Sequence, residues 1–400
     1  MSLCGLVTRT LISIVAVVVL YYQLNSMRNV VHVNDVFKNP TSENTHNYQI
    51  FPRKLIKSND IMMDVVVLEK STTTTRANTS DSNTKNPLVL FLHGFPQTAT
   101  TSWYFQLLYF MNNDYKFGGQ SYTVMAPDLR GYNGTEKPDV NNLANYDIGE
   151  FVHDVKGLID GYYGNNEAHN RKAVVVAHDW GAVIAWALAS TYPQVVEKLI
   201  ILNVPHPSTL TKTITTLPVN RIFAQLRKSW YIFFMQLGFS IPEEYFSREG
   251  FKKLSFAFAS LAKQNILSIE DYHYIVSAWS QPNCLQGMIA YYRGFLTGKV
   301  SNYLKMKLFG MKDQRRYPMV GNTMDGPLEN QTVKVPTLIL WGKDDIALIE
   351  ETADLSFKYF VDESVKSKSK LQKFDAGHFV MLEIPNKINE EIEKFISNRD

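Results

Sequence analysis

The chain has 400 residues, enough for one large domain or two ordinary ones. An apolar fraction of 45% and a charged fraction of 20% are those of a globular chain with a sizeable core, which excludes wholesale disorder. Basic and acidic residues number 41 and 38, a net of +3, so bulk charge gives no argument for nucleic acid as a partner; two cysteines, Cys4 and Cys284, exclude a disulfide scaffold and a zinc-finger type of site.

Leu11 to Tyr22 reads LISIVAVVVLYY, and Leu3 to Val7 is apolar too, with Thr8, Arg9 and Thr10 between. A spanning helix takes about 20 mostly apolar residues. Residues 3–22 are therefore read as a retained anchor through which the protein meets a membrane. Arg9 would snorkel to a headgroup, and Tyr21 and Tyr22 suit an interface. A cleaved signal peptide is the competing reading, but the bulky Tyr21-Tyr22-Gln23-Leu24 offers no small-residue cleavage site. Arg9 on one side and Arg28 and Lys38 on the other leave the orientation open. Sequons at Asn78, Asn133 and Asn330 matter only if the body faces a lumen.

A polar linker follows, over about residues 25–48. Beyond it, short β-branched runs alternate with helical stretches. The strands expected are Met62–Leu68, Pro87–Leu92, Tyr122–Ala126, Lys172–Ala177, Lys198–Leu202, Val335–Leu340 and Leu371–Phe374. Continuous runs such as LVLFL and VVVA suit strands buried on both faces. Helices are expected over Tyr146–Ile159, Gly181–Thr191 and Pro385–Ile396. Such alternation argues a mostly parallel sheet flanked by helices. Ser71–Asn86 is polar and of low complexity, a surface loop. From His206 to Asn330 the rhythm breaks into an aromatic, helical stretch, and the sheet pattern resumes at Val335. The parse is an anchor and linker over residues 1–47, a sheet core over 48–205 and 331–400, and a helical lid inserted over 206–330.

Ala173 to Gly181 reads AVVVAHDWG, a buried strand running into a helix. Small residues stand two before and two after Asp179. That pattern suits a tight strand-to-helix turn, where backbones crowd and the apex side chain is held over the helix N-terminus, the nucleophile elbow. An Asp that merely caps the helix would read the same way. Three further segments favour chemistry. Leu92-His93-Gly94-Phe95-Pro96 follows a buried strand and can aim the Phe95 N–H at the apex beside that of Trp180, two donors of an oxyanion hole. Val335 to Asp345 reads VPTLILWGKDD, a strand ending in acids, and Phe374 to Phe379 reads FDAGHF, a strand ending in a loop His. Nucleophile, acid and histidine thus follow in the order Asp179, Asp345, His378, the order of the α/β-hydrolase triad.

At these residues the chain resembles the α/β-hydrolase-fold epoxide hydrolases, most of all their membrane-anchored animal members. The resemblance covers about residues 48–400. It rests on His93-Gly94-Phe95-Pro96-Gln97, Asp128-Leu129-Arg130-Gly131-Tyr132, His178-Asp179-Trp180-Gly181, Asn203-Val204-Pro205-His206-Pro207 and Gly377-His378-Phe379. It implies an α/β-hydrolase fold with a helical lid, and it selects Asp345 over Asp344 as the acid, three residues before Leu348. It also implies two lid tyrosines that bind the epoxide oxygen, carried here to Tyr231 in Tyr231-Ile232-Phe233-Phe234-Met235-Gln236 and to Tyr292 in Tyr291-Tyr292-Arg293. The chain departs from the family in the long stretch Ser71–Asn86 and in Asn133, where the family usually has Gly.

The expected reaction is the opening of small apolar epoxides, by resemblance lipid-derived, to diols through an ester on Asp179, with no metal or cofactor. His378 would activate water, Asp345 would orient His378, and the tyrosines would stabilise the opening alkoxide. A haloalkane-type dehalogenase with the same Asp nucleophile, or a non-catalytic hydrolase-fold binding protein, are the alternatives. The expected location is a single-pass membrane protein of the endoplasmic reticulum, with no nucleic acid partner.

Overall fold

The computed structural model describes residues 37–39, 41, 46–70, 85–164, 172–238, 240–295 and 332–398. Eight strands form one sheet: β1 (Arg53–Ser58), β2 (Ile61–Leu68), β3 (Leu88–Leu92), β4 (Thr123–Pro127), β5 (Ala173–His178), β6 (Val196–Leu202), β7 (Thr337–Gly342) and β8 (Lys370–Phe374). Their spatial order is β1-β2-β4-β3-β5-β6-β7-β8. β2 pairs antiparallel with β1 and β4, and every other pairing is parallel. Parallel neighbours with helical crossovers cover both faces, which is why β3, β5 and β7 are buried along their whole length.

Helices α1 (Ala99–Asn112), α2 (Ile148–Tyr163) and α3 (Trp180–Thr191) lie in the first part of the sheet domain. α3 packs on β5 and β6 through Ala182, Ala185 and Ala189, all essentially inaccessible; with no side chain beyond Cβ, they let the helix axis approach the sheet. Between β6 and β7 the chain leaves the sheet and forms α4 (Thr209–Thr216), α5 (Val219–Lys228), α6 (Trp230–Phe234), α7 (Ile241–Phe251), α8 (Ala259–Lys263), α9 (Ile269–Trp279) and a helical run over residues 284–295, α10. α11 (Glu351–Phe360) and α12 (Pro385–Ser397) follow β7 and β8.

The part of the linker within the described residues is packed. Phe37 is buried against Tyr272 of α9, at 4.9 Å between ring centroids, and the Ile269 N–H donates to the Lys38 carbonyl at 2.8 Å. His46 pairs with Asp271 at 3.0 Å.

The expectation of a single-pass membrane protein is corrected. Among the described residues no helix is long and apolar enough to cross a membrane. The longest of them, α2, has 16 residues and carries Glu150, Asp154, Lys156 and Asp160, too short and too charged for the hydrocarbon. Residues 3–22, on which that expectation rested, lie outside the described residues, as do the sequons at Asn78 and Asn330, most of Ser71–Asn86 and the end of the inserted stretch from residue 296.

Candidate active site

The strand-to-helix turn places Asp179 at φ 49° and ψ −122°, a left-handed-side conformation that a non-glycine residue adopts only under constraint. The constraint is the crowding around it. A Cβ on Gly181 would lie 2.3 Å from the Leu92 carbonyl oxygen and 2.6 Å from that of His93; on Gly94 it would lie 2.3 Å from the Asp179 Cβ. The turn can therefore form only where both positions lack a side chain. In return the loop after β3 comes close enough for the Phe95 N–H to donate to Asp179 Oδ1 at 2.6 Å.

The second carboxylate oxygen, Oδ2, faces His378 Nε2 at 3.8 Å, beyond hydrogen-bonding distance. The other ring nitrogen, Nδ1, is 2.7 Å from Asp345 Oδ2. Asp345, and not the exposed Asp344, reaches the imidazole. Its carboxylate is fully buried and saturated with donors: Asn203 Nδ2 at 2.7 Å on Oδ2, and the Ala347 and Leu348 amides at 2.6 and 2.9 Å on Oδ1. Burial alone would raise its pKa, but His378 and these donors outweigh it and hold the carboxyl below its ordinary value.

Burial disfavours a charged His378 as well, yet Asp345 and then Asp179 reverse the sign and push the imidazole up to about 9. For Asp179 burial prevails: its pKa is raised, although His378 and the Phe95 and Trp180 amides pull the other way. His93 and His178 are different. Burial drives His93 down to about 4 and His178 well below its ordinary value, so both are neutral. His93 accepts from the Leu129 N–H at 2.9 Å, and His178 donates from Nε2 to the His378 carbonyl at 2.9 Å. Asp128 and Arg130 brace neighbouring loops: Asp128 accepts from the Ala99 N–H at 2.8 Å and pairs with Arg53, and Arg130 grips Asp154 through two contacts of 2.7 Å.

The inserted helices bring Tyr231 and Tyr292 together, with ring centroids 5.8 Å apart and nearly perpendicular. Tyr292 also meets the edges or faces of Phe95 and Trp180 at 5.3 and 5.1 Å. Burial, then the negative charge of Asp179, raises both phenol pKa values, so both hydroxyls keep their protons at neutral pH. The two segments are fastened to each other. Gln236 donates to the Tyr292 carbonyl at 3.0 Å, and Arg293 donates to the Met235 and Leu237 carbonyls and pairs with Glu243.

All seven residues singled out in the sequence, Phe95, Asp179, Trp180, Tyr231, Tyr292, Asp345 and His378, thus meet at the C-terminal ends of β3, β5, β7 and β8 beneath the inserted helices. The sequence reading missed how Asn203 works. At φ 51°, it bonds Asp345 through Nδ2 and accepts from the Gly342 N–H at 3.0 Å through Oδ1, tying the ends of β6 and β7 together. Its place at the end of a buried strand was the available signal. Asn133, the departure from the family's usual Gly, has φ 36°, a region that Asn tolerates better than most residues. Its amide donates to Asp128 at 2.8 Å, so this sequon side chain is used inside the fold.

Residues 87–385 match the family described as alpha/beta hydrolase fold. Over 318 residues, 78% of this chain, the sequence is 33% identical to epoxide hydrolase 1 of Caenorhabditis elegans and 33% identical to epoxide hydrolase 4 of Homo sapiens. The match spans 65% of the nematode protein, just under two thirds of its length, and 72% of the human one. Among solved structures, an epoxide hydrolase from Bacillus megaterium in complex with an inhibitor is similar at a TM-score of 0.62 and 26% identity, covering 86% of this chain and 100% of that one. Fold, sheet order and sequence agree, and the chain belongs to the α/β-hydrolase fold family, among its epoxide hydrolases.

Proposed function

We propose that the protein opens apolar, lipid-derived epoxides to vicinal diols through a covalent ester on Asp179. One observation carries this reading. The Asp179 carboxylate is split in use: Oδ1 sits on the Phe95 amide, while Oδ2 faces His378, whose far nitrogen rests on Asp345.

In the first half-reaction, Oδ2 attacks an epoxide carbon and the carbon–oxygen bond of the ring breaks. The departing alkoxide takes a proton from Tyr231 or Tyr292, whose raised pKa values keep them protonated donors until that moment. In the second, water attacks the ester carbonyl carbon and His378 Nε2 takes its proton. The Phe95 and Trp180 amides hold the oxyanion that develops on Oδ1. Collapse breaks the acyl–oxygen bond, the proton on His378 goes to the leaving diol oxygen, and the second proton of the water returns to the phenolate, which restores the Asp179 carboxylate with one oxygen now from water.

Esterification also explains how an imidazole pushed up to about 9 can act as a base. Two carboxylates raise His378 in the resting site. Once Asp179 is an ester, one of those charges is gone, and the imidazole gives up its proton more readily. The inserted helices between Thr209 and residue 295 act in this scheme as a lid. Its phenols and the apolar faces of Phe95, Trp180 and Phe295 line a site suited to an apolar epoxide. The two phenol donors favour an epoxide over a haloalkane, whose leaving halide takes no proton.

His378→Gln under single turnover with a fatty-acid epoxide in heavy-oxygen water tests the scheme. The variant is expected to form the ester and stall, visible as an adduct by intact mass. The parent is expected to release unlabelled diol and carry the label in Asp179. Label in the first-turnover diol would mean that water attacks the epoxide directly, and no ester exists.

A further inference from the structure

Gln225 has no place in the scheme above, yet it is a buried polar side chain, 4% exposed, on α5. Its amide group is used at both ends. Nε2 donates to the Ala347 carbonyl at 3.0 Å and to Ser229 Oγ at 2.8 Å, and Oε1 accepts from the Ile349 N–H at 2.9 Å. Ala347 is also the residue whose N–H holds Asp345 Oδ1 at 2.6 Å. One turn further along α5, Lys228 donates to the carbonyl of Asp345 itself. One face of α5 is thus bonded to the main chain of residues 345–349, the turn that cradles the Asp345 carboxylate.

We propose that Gln225 is a positioning residue for the general base: it fixes the turn that holds Asp345, and through Asp345 it sets the orientation and basicity of His378. This rests on the ester mechanism proposed above. The physical argument is one of substitution. Residues 343–350 lie between β7 and α11, outside both. The Ala347 carbonyl and Ile349 amide bond to the side chain of an inserted helix instead of a strand or helix partner. Without Gln225, those buried backbone groups lose their partner, and the turn must shift to find others. A shift there carries the Ala347 and Leu348 amides away from Oδ1. The geometry of the triad acid is therefore set from the inserted region as much as from the sheet.

The two half-reactions separate this role from general damage. Ester formation uses Asp179 and the phenols, none of which is hydrogen-bonded to the turn among the described residues. Ester hydrolysis uses His378 and Asp345. Gln225→Met, close in size and without polar atoms, is expected to form the ester at a rate within about twofold of the parent. It should hydrolyse the ester about ten- to a hundredfold more slowly, the scale of a small misplacement of catalytic groups. The pH dependence should move as well. Hydrolysis takes neutral His378, so its rate rises with pH through the His378 pKa. A loosened Asp345 stabilises the imidazolium less, which moves that limb to lower pH while the plateau falls. Arg221→Gln is the control: it removes the pair between α5 and Glu351, at the start of α11, without touching the turn, and is expected to keep parent rates in both steps. Parent-like hydrolysis in a folded Gln225→Met, or an equal loss in both steps with an unmoved pH limb, would overturn the proposal. If Gln225→Met does not fold, Gln225→Glu, which keeps an acceptor for Ile349, is read by the same split. Failure here leaves ester formation in the parent intact, whereas failure of the underlying mechanism removes the ester from the parent itself.

Discussion

Tyr291 and Tyr292 are neighbours on α10 with unlike surroundings. Tyr291 stacks on Phe151 at 4.0 Å between centroids and donates its hydroxyl to the Arg130 carbonyl at 2.8 Å, so ring and hydroxyl are both consumed by packing. Tyr292 meets Tyr231, Phe95 and Trp180 at the nucleophile. Phenylalanine at the two positions should therefore have opposite consequences. Tyr291→Phe loses one buried hydrogen bond, about 1–2 kcal/mol of stability, with ester formation little changed. Tyr292→Phe loses a donor to the developing alkoxide, roughly 3–4 kcal/mol or about a hundred- to thousandfold in ester formation, with stability little changed. Tyr231→Phe should act like Tyr292→Phe, and the double variant should be slower than either. Pre-steady-state ester formation and the melting temperature, read together, decide it; a folded Tyr231→Phe, Tyr292→Phe pair that esterifies normally removes the phenols from the mechanism. At this scale the sequence was legible where a motif fixes a residue by its neighbours, as at Asp179 or His378. Of the paired Tyr291-Tyr292 and Asp344-Asp345, only resemblance chose one member. The choice is made physically by which way the backbone turns, a property of the tertiary structure.

The β5–turn–α3 unit concentrates the constraint at the level of elements. Its strand is buried on both faces and its helix lies close on small residues, so the elbow cannot yield outward. Gly181→Ala would press a methyl against the carbonyl oxygens of Leu92 and His93, backbone atoms that cannot rotate away. We expect a loss of roughly 1–3 kcal/mol in denaturant unfolding, together with strongly reduced ester formation, because the same displacement moves the Phe95 amide off Oδ1. A Gly181→Ala protein with parent stability and parent rate would show that the turn is less crowded than described. Seven of the eight strands were expected, six from apolar runs and β8 from its place before the loop histidine. β1 was not, because it reads RKLIKS, with most side chains in or near solvent and a pairing only to β2. An edge strand that keeps lysines outward carries no apolar alternation to find. α1 was also missed: its ATTS opening is β-branched and polar, and the helix is set by the Thr98–Thr101 capping box and by burial of Trp103, Leu107 and Phe110, which one-dimensional propensity does not register.

At the scale of the whole molecule, one buried clasp joins distant parts of the chain. Asp271, 1% exposed, accepts from the Ser268 amide and hydroxyl at 2.7 and 2.8 Å and pairs with His46 at 3.0 Å, so one carboxylate both caps α9 and holds the segment ahead of β1 against it. Asp271→Ala should cost roughly 2 kcal/mol or more, a lost cap plus buried donors without an acceptor. Asp375→Ala, which removes an exposed partner of Lys343, should leave the unfolding midpoint unchanged. Equal midpoints for the two variants would refute this ranking. Strand runs and punctuation made the sheet and the insertion readable, but this clasp was not, since His46 and Asp271 are 225 residues apart and neither sits in a patterned run.

The stitching of α5 to the acid-bearing turn has a consequence for how such chains can diverge. In the proposed scheme the stretch between β6 and β7 covers the substrate and supplies the phenols of Tyr231 and Tyr292, while the nucleophile, acid and histidine stand at the strand ends. Apart from those two phenols, a lineage could rewrite the insertion freely as it met new epoxides. The inner face of α5 is excepted from that freedom. Positions 225 and 228 stand in the inserted stretch but answer to the chemistry at the strand ends. Recombining insertions between relatives would carry over specificity together with the quality of the general base, so chimeras should fail in turnover before they fail in recognition.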